Sequence, residues 1–208
     1  MKMNLAQLKN KYNMNIKGVI HIGAHIGSEY SVYKNLNINN LMFFEPLPHT
    51  FEKLKININD DNVNLYNMAL GNKIGKAEMY VEYDNESQSS SLLEPLLHAT
   101  QYPFIVFNDK IEIDIQKLDN IKFEKNNYNF INIDVQGYEL EVFKGSVDTL
   151  ENIDYIMSEV NKVELYKNCV IIEELDSFLY SFGFNRYDTF WHSDYTWGDA
   201  LYIKNKIK

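Results

Sequence analysis

The sequence predicts a single α/β domain built on a mostly parallel β-sheet with helices on both faces. Three observations point there. Short apolar runs rich in β-branched residues alternate with helical stretches along most of the chain. The first such run stops in a glycine turn that opens a helix, which is how a β-α unit begins. No internal repeat and no linker rich in Gly, Ser or Pro divides the 208 residues, 45% of which are hydrophobic, so one domain spans 1–208 around one core.

Residues 4–12 set Leu5, Leu8 and Tyr12 at helical spacing among polar neighbours, which predicts a leading helix within 1–15 that lies on the domain as a lid or brace. Gly18-Val19-Ile20-His21-Ile22 is a buried strand, Gly23-Ala24-His25-Ile26-Gly27 its turn, and 28–36 the helix after it. Leu41-Met42-Phe43-Phe44 forms the second strand, ended by Glu45-Pro46-Leu47-Pro48, where the prolines set up a helix over 49–57. A third strand is expected at 63–66, a turn at Ala69-Leu70-Gly71-Asn72 and an added alternating strand at 77–82. Periodicity disappears over 84–103. The polar run Asn85-Glu86-Ser87-Gln88-Ser89-Ser90-Ser91 suits a loop, and a loop this long in a compact domain is more often functional than idle. Alternation resumes at 110–115, and 128–135 is a strand whose end is marked by Gln136-Gly137 before a helix over 138–144. A buried strand follows at 153–158. Ile172, Leu175, Phe178, Leu179 and Phe182 stay in register along a helix over 171–182 that Gly183 closes. Strands at 184–190 and 199–204 end the sheet, antiparallel to one another at its edge.

Charge narrows the function. Asp and Glu number 29 against 20 Lys and Arg, a formal charge of −9, the opposite of what a phosphate-backbone binder needs, so no nucleic-acid partner is expected. The one cysteine, Cys169, forms no intramolecular disulfide and no structural zinc cluster, which suits a reducing compartment. No stretch approaches the roughly 18 to 20 apolar residues of a membrane span, and the first residues lack an apolar signal core. A soluble cytoplasmic protein is expected.

In an open α/β sheet, ligands bind beyond the C-terminal ends of the strands, and four of those ends are unusual. Gly23 and Gly27 permit a tight turn and a close approach to a ligand. Glu45 lies 22 residues after Gly23, at the tip of the next strand, where a carboxylate can accept both hydroxyls of a ribose. Asp134 ends a central strand, where it can sit near a cation, hold a hydroxyl or take its proton; capping the next helix is the alternative role. Glu159 is again an acid just beyond a buried strand, with the same alternative. The turn is not G-x-G-x-x-G. His25 occupies the place of the middle glycine that lets backbone approach a pyrophosphate, which favours a nucleoside without phosphates over NAD.

These residues resemble the FkbM-type methyltransferases, which use S-adenosylmethionine and have a Rossmann-like, seven-stranded, mostly parallel sheet of the class I methyltransferase type. The resemblance spans Gly18 to Lys204. It rests on Val19-Ile20-His21-Ile22-Gly23-Ala24-His25-Ile26-Gly27, Phe44-Glu45-Pro46, Ala69-Leu70-Gly71, Ser89-Ser90-Ser91-Leu92 and Ile133-Asp134-Val135-Gln136-Gly137-Tyr138-Glu139 with Lys144-Gly145. Ser158-Glu159-Val160 and Gly198-Asp199-Ala200-Leu201-Tyr202 complete it. It implies S-adenosyl-L-methionine as cofactor, its methionine part against Ile22, Gly23 and Ala24, its ribose on Glu45 beside Pro46, and its adenine between Met68 and Ala69. His25 and Gly27 belong to the same turn, and Asp134 would lie near the methyl group. Many members carry Asp in place of His21 and Glu in place of Gln136. The first change turns attention to Glu29 for the cofactor's amino group. The second leaves Asp134 as the acid of its turn.

The implied reaction is O-methylation of a small-molecule, sugar or glycan hydroxyl, for which Asp134 is the first candidate base, with His25 and His192 behind it and Glu159 and Asn161 orienting the acceptor. The aromatic tail Phe190-Trp191-His192-Ser193-Asp194-Tyr195-Thr196-Trp197 suits stacking on a sugar ring or packing at a sheet edge. The 84–103 loop is the expected acceptor-side lid. No metal is expected, since the spacing of Asp134, Glu159 and Asp199 demands none. Two rival readings are a silent methyltransferase-like scaffold in glycan assembly and an NAD- or nucleotide-sugar-dependent oxidoreductase.

Overall fold

The computed structural model describes residues 3–205. Its strands are β1 (Gly18–Ile22), β2 (Asn40–Phe44), β3 (Asn64–Tyr66), β4 (Ala69–Leu70), β5 (Gly75–Val81), β6 (Asp109–Gln116), β7 (Phe130–Ile133), β8 (Tyr155–Asn161), β9 (Phe184–Trp191) and β10 (Trp197–Lys204). The helices are α1 (Leu5–Lys11), α2 (Tyr30–Asn35), α3 (Pro48–Asn57), α4 (Leu97–Gln101), α5 (Glu139–Lys144), α6 (Val147–Leu150) and α7 (Ile172–Ser181). The main sheet has seven strands in the order β3-β2-β1-β7-β8-β10-β9. The first five are parallel, and β10 runs antiparallel between β8 and β9. Strand order runs outward from β1 in one direction and from β7 in the other, so a topological switch point lies between them.

Successive strand side chains point to opposite faces, and here both faces are covered, so the strands are apolar at almost every position. Ile20, Ile22, Met42, Phe44, Ile131 and Ile133 face one way, onto Val142, Phe143, Leu150, Leu175 and Leu179 of α5, α6 and α7. Val19, Leu41, Phe43 and Phe130 face the other, onto Leu5 and Leu8 of α1, Tyr33 of α2 and Leu54 of α3. Pro48 stands at the start of α3, where its fixed φ suits a helix and its missing N–H costs no bond. The leading helix is a brace: Lys11 Nζ pairs with Asp188 Oδ2 on β9 at 2.7 Å, and Tyr12 Oη donates to the same carboxylate at 3.1 Å.

Three features depart from expectation. Residues 69–70, expected in a turn, are strand β4. With β5 and β6 it forms a separate three-stranded sheet, order β4-β6-β5, around Leu47, Ala69, Met79, Val81, Ile113 and Ile115. Two pairings, Ala69 with Ile115 and Leu70 with Gln116, make β4 a strand, and partners so distant in sequence leave no local pattern. Finally, β8 runs on to Asn161 because β10 pairs with it over its full length, so Glu159 lies inside the strand, opposite Asp199.

Candidate active site

A cavity of about 590 Å³ opens at the C-terminal ends of β1, β2, β7 and β8, the end of the sheet that carries the switch point. The turn after β1 forms one wall. Gly23 has φ +76°, and a Cβ there would stand 1.8 Å from the Asp134 carbonyl oxygen, so the glycine is required by the approach of the β1 and β7 ends. Its N–H and that of Ala24 both donate to the Phe44 carbonyl, at 3.0 and 2.9 Å, which ties the turn to β2. Ile22, Gly23, Ala24, His25 and Glu29 line the cavity. Gly27 does not: its φ of +78° turns the chain against α3, where a Cβ would meet Leu54 and Ile58. It is a packing glycine rather than a ligand-facing one.

Glu45 is 4% exposed and faces the cavity. Its Oε2 accepts from His25 N and its Oε1 from Leu47 N, both at 2.9 Å. Burial pushes the carboxyl up to about 7 against the opposing pull of these two N–H groups. A carboxylate has about four acceptor directions, so the two remaining ones are available to a ligand. Asn67 fastens the neighbouring strand end, donating to the carbonyls of Glu45 and Pro46 at 2.9 and 3.0 Å. Pro46, Met68 and Ala69 complete this half of the cavity.

His21 lines the cavity from the other side of the turn. It is buried with Tyr33 and Asn132, 3.2 Å from the Tyr33 hydroxyl, and burial lowers its pKa. Glu29 is close enough for its charge to act on both His21 and Tyr33. The His25 ring is engaged elsewhere: Nε2 donates to the Glu86 carbonyl at 2.7 Å. The candidate base is thereby a tether between the glycine turn and the 84–103 segment.

At the β7 end, Gln136 adopts φ +54° and aims its amide inward. Its Nε2 donates to Asp134 Oδ1 at 2.8 Å and to Glu159 Oε2 at 3.0 Å, while its Oε1 accepts from the Tyr166 hydroxyl at 2.8 Å. Asp134, Gln136 and Glu159 all line the cavity. Burial, then the charges of Asp134, Glu139 and Asp199, raise the Glu159 pKa well above the ordinary range, and a hydrogen bond to Asp134 adds to the rise. Burial and the neighbouring acids thus favour the protonated form of Glu159. Asp134 is not the one acid of its turn. Glu139 is fully buried and folds back on it, Oε1 accepting from Val135 N at 3.0 Å and Gly137 N at 3.2 Å, and burial raises it to about 7.

The 84–103 segment folds across the opposite half of the cavity, with Ser87, Ser89, Ser90, His98 and Tyr102 on its wall. Buried Glu82 holds its start, accepting from Asn85 N and Ser89 N at 2.7 and 3.0 Å. From the aromatic tail, His192 and Trp197 reach the cavity, stacked with ring centroids 3.5 Å apart. Trp191 packs on the core instead, and Asn161 does not line the cavity. Among the described residues, no group of three or more His, Cys, Asp or Glu is arranged to hold a metal ion, and no helix is long and apolar enough to cross a membrane.

The molecule is similar to several solved methyltransferases. Sp1610 of Streptococcus pneumoniae, a candidate tRNA (m1A22) methyltransferase, superposes with a TM-score of 0.56 at 10% identity, over 100% of this chain and 72% of that one. Magnesium protoporphyrin IX methyltransferase of Synechocystis PCC 6803, solved with bound S-adenosylmethionine, gives 0.54 at 9% identity, over 96% and 76%. The 1,6-didemethyltoxoflavin-N1-methyltransferase of Burkholderia thailandensis, with S-adenosylhomocysteine, gives 0.51 at 11% identity, over 97% and 76%. These similarities define the fold as that of the class I methyltransferases. The model of the methyltransferase FkbM domain matches residues 21–186, and the chain belongs to that family. A curated relative, 2-O-methyltransferase NoeI of Sinorhizobium fredii, is 25% identical over 173 residues, which are 79% of this chain and 71% of that protein.

The residues present suit the cofactor. Glu45 keeps acceptor directions for a ribose diol, and the volume matches a nucleoside with an amino-acid arm. His25 still stands where a pyrophosphate turn needs glycine.

Proposed function

We propose that this methyltransferase acts on a hydroxyl of a sugar, glycan or similarly hydroxylated small molecule. One observation carries the reading: a single cavity holds the ribose-type acid Glu45, the Asp134–Glu159 acid pair and, opposite them, a wall of serines and aromatic rings. The similarity to a 2-O-methyltransferase supports the oxygen acceptor. In this reading Ile22, Gly23 and Ala24 hold the methionine part, Glu29 its amino group, Glu45 and Pro46 the ribose, and Met68 and Ala69 the adenine.

S-adenosylmethionine supplies a methyl group already activated on a sulfonium. The chain's residues orient the acceptor, exclude water and take the hydroxyl proton. Asp134 accepts that proton. Its Oδ1 is held by Gln136, whose same amide nitrogen donates to Glu159 and so fixes the two acids together. His25 keeps the 84–103 segment over the cavity, which serves as the acceptor-side lid. The test is calorimetry with S-adenosylmethionine and with NAD, followed by a screen of glycosides for release of S-adenosylhomocysteine. Binding of S-adenosylmethionine and turnover on a hydroxyl are expected; binding of NAD alone would end the reading.

A further inference from the structure

The acceptor-side half of the cavity contains one buried group that the chemistry above leaves without a task. His98 lies on α4, a five-residue helix inside the aperiodic 84–103 segment, and the backbone pins it there. Leu96 N and His98 N both donate to the Leu165 carbonyl, at 2.9 and 3.0 Å, and Tyr102 N donates to His98 O at 2.8 Å. The imidazole lines the cavity, is 4% exposed, and is boxed by Tyr102, Tyr166 and Phe107 at centroid distances of 5.0, 5.3 and 5.4 Å.

Within that box Nδ1 is sealed from solvent and makes no hydrogen bond. Buried polar atoms almost always have partners, and one without a partner calls for an explanation. Packing alone does not provide it, since a leucine would fill an aromatic box without an unpaired nitrogen.

We propose that His98 is the hydrogen-bonding anchor of the acceptor subsite, gripping a hydroxyl of a pyranose ring whose apolar face lies against the Tyr102 and Trp197 wall. The proposal rests on the reading of the site as a hydroxyl methyltransferase and adds the residue that selects the acceptor. Three observations support it. Burial lowers the imidazole pKa to about 4, so the ring is neutral at neutral pH, and a hydroxyl, which both donates and accepts, can pair with Nε2 in either tautomer. The Trp197 indole donates to the Tyr102 hydroxyl at 2.9 Å, which fixes two ring planes on the cavity wall, and aromatic planes suit the C–H face of a sugar. Finally, Tyr166, in contact with His98, donates to Gln136, whose amide holds Asp134 and Glu159. One ring therefore separates the anchor from the acid pair, and with Nδ1 sealed it is Nε2 that meets the cavity, so a sugar held there at one hydroxyl can present another to Asp134.

The experiment uses full-length protein saturated with S-adenosylhomocysteine and a panel of methyl pyranosides, namely glucoside, galactoside, mannoside, fucoside and rhamnoside, followed by saturation-transfer NMR. Methyl transfer is measured in parallel with S-adenosylmethionine and whichever pyranoside binds. Wild type is expected to bind at least one. His98→Leu should keep thermal stability and cofactor affinity yet raise the pyranoside Kd and KM about tenfold or more, the loss of one hydrogen bond to a buried partner, with kcat at saturation nearly unchanged. His98→Gln, which keeps a donor and an acceptor, should recover most of the affinity. The proposal is overturned if no pyranoside binds the loaded wild type, if His98→Leu binds as well as wild type, or if cofactor affinity falls in step with pyranoside affinity. Failure of wild type to bind S-adenosylhomocysteine is a separate result and counts against the methyltransferase reading itself.

Discussion

Cofactor binding should expel a proton from Glu45. Empty, the carboxyl is buried and titrates near 7, well above its ordinary 4.5, because desolvation outweighs the two N–H groups that hold it. Two ribose hydroxyls donating to it favour the charged form. If they restore the ordinary value, about 0.75 proton leaves per site at pH 6.5. Calorimetry with S-adenosylhomocysteine in two buffers of different ionisation enthalpy measures that number directly. In Glu45→Gln the release should vanish. The amide also turns an NH2 toward His25 N or Leu47 N, leaving a donor facing a donor, so the variant should lose about 1–3 kcal/mol of stability and bind about 10- to 100-fold more weakly. Tight binding with no proton release at pH 6.5, unchanged by Glu45→Gln, would show that the acid never meets the ribose.

Three buried acids with raised pKa values, Glu45, Glu139 and Glu159, give the unliganded protein a distinctive pH profile. Glu45 and Glu139 are raised to about 7 and Glu159 is raised as well, so each favours folding fully below its unfolded value and loses that contribution as pH rises through its folded one. The lowered histidines His21 and His98 contribute the opposite slope, mostly below their unfolded value of 6.5. Urea unfolding should therefore show a net fall in stability of about 1 kcal/mol between pH 6.5 and 8, about 0.8 from each of Glu45 and Glu139 less about 0.4 returned by each histidine, and a rise there would refute the assignment. Gly23→Ala should abolish folding or cost more than about 4 kcal/mol, since its Cβ would stand 1.8 Å from the Asp134 carbonyl oxygen. Gly75→Ala, with positive φ but open space, should cost about 1–2 kcal/mol by the same unfolding assay. Asp134→Asn should lower turnover about 100-fold or more with cofactor affinity nearly unchanged; equal effects on both would make Asp134 a binding residue.

What the sequence made legible was what neighbours in the chain determine. The β1 run, its glycine turn, the acid after β2 and the apolar stripe of α7 each carry a local pattern, and each stands where that pattern puts it. The small sheet was illegible as a unit because β4 depends on two pairings with β6, more than 40 residues further on. Glu159 read as lying beyond its strand because the partner that extends β8 is the distant β10. Within the turn, glycine signalled tightness but not its cause: Gly23 answers to Asp134, Gly27 to Leu54 and Ile58. His98 lay hidden in a stretch without periodicity, where only the fold brings Leu165 and Tyr166 against it.

The excursion between β3 and β7 divides labour along the chain. In the proposed reading the turn after β1 and Glu45, which face the nucleoside, sit on β-α corners of the parallel framework, where a shift in one strand disturbs its neighbours, and Met68 and Ala69 meet it at the very start of the excursion. Much of the opposite wall comes from a detour that leaves that framework after Tyr66 and rejoins it at Phe130. Substitutions and length changes within the detour can reshape what the enzyme accepts while the donor grip stays in register, so related chains can diversify their acceptors without rebuilding the catalyst.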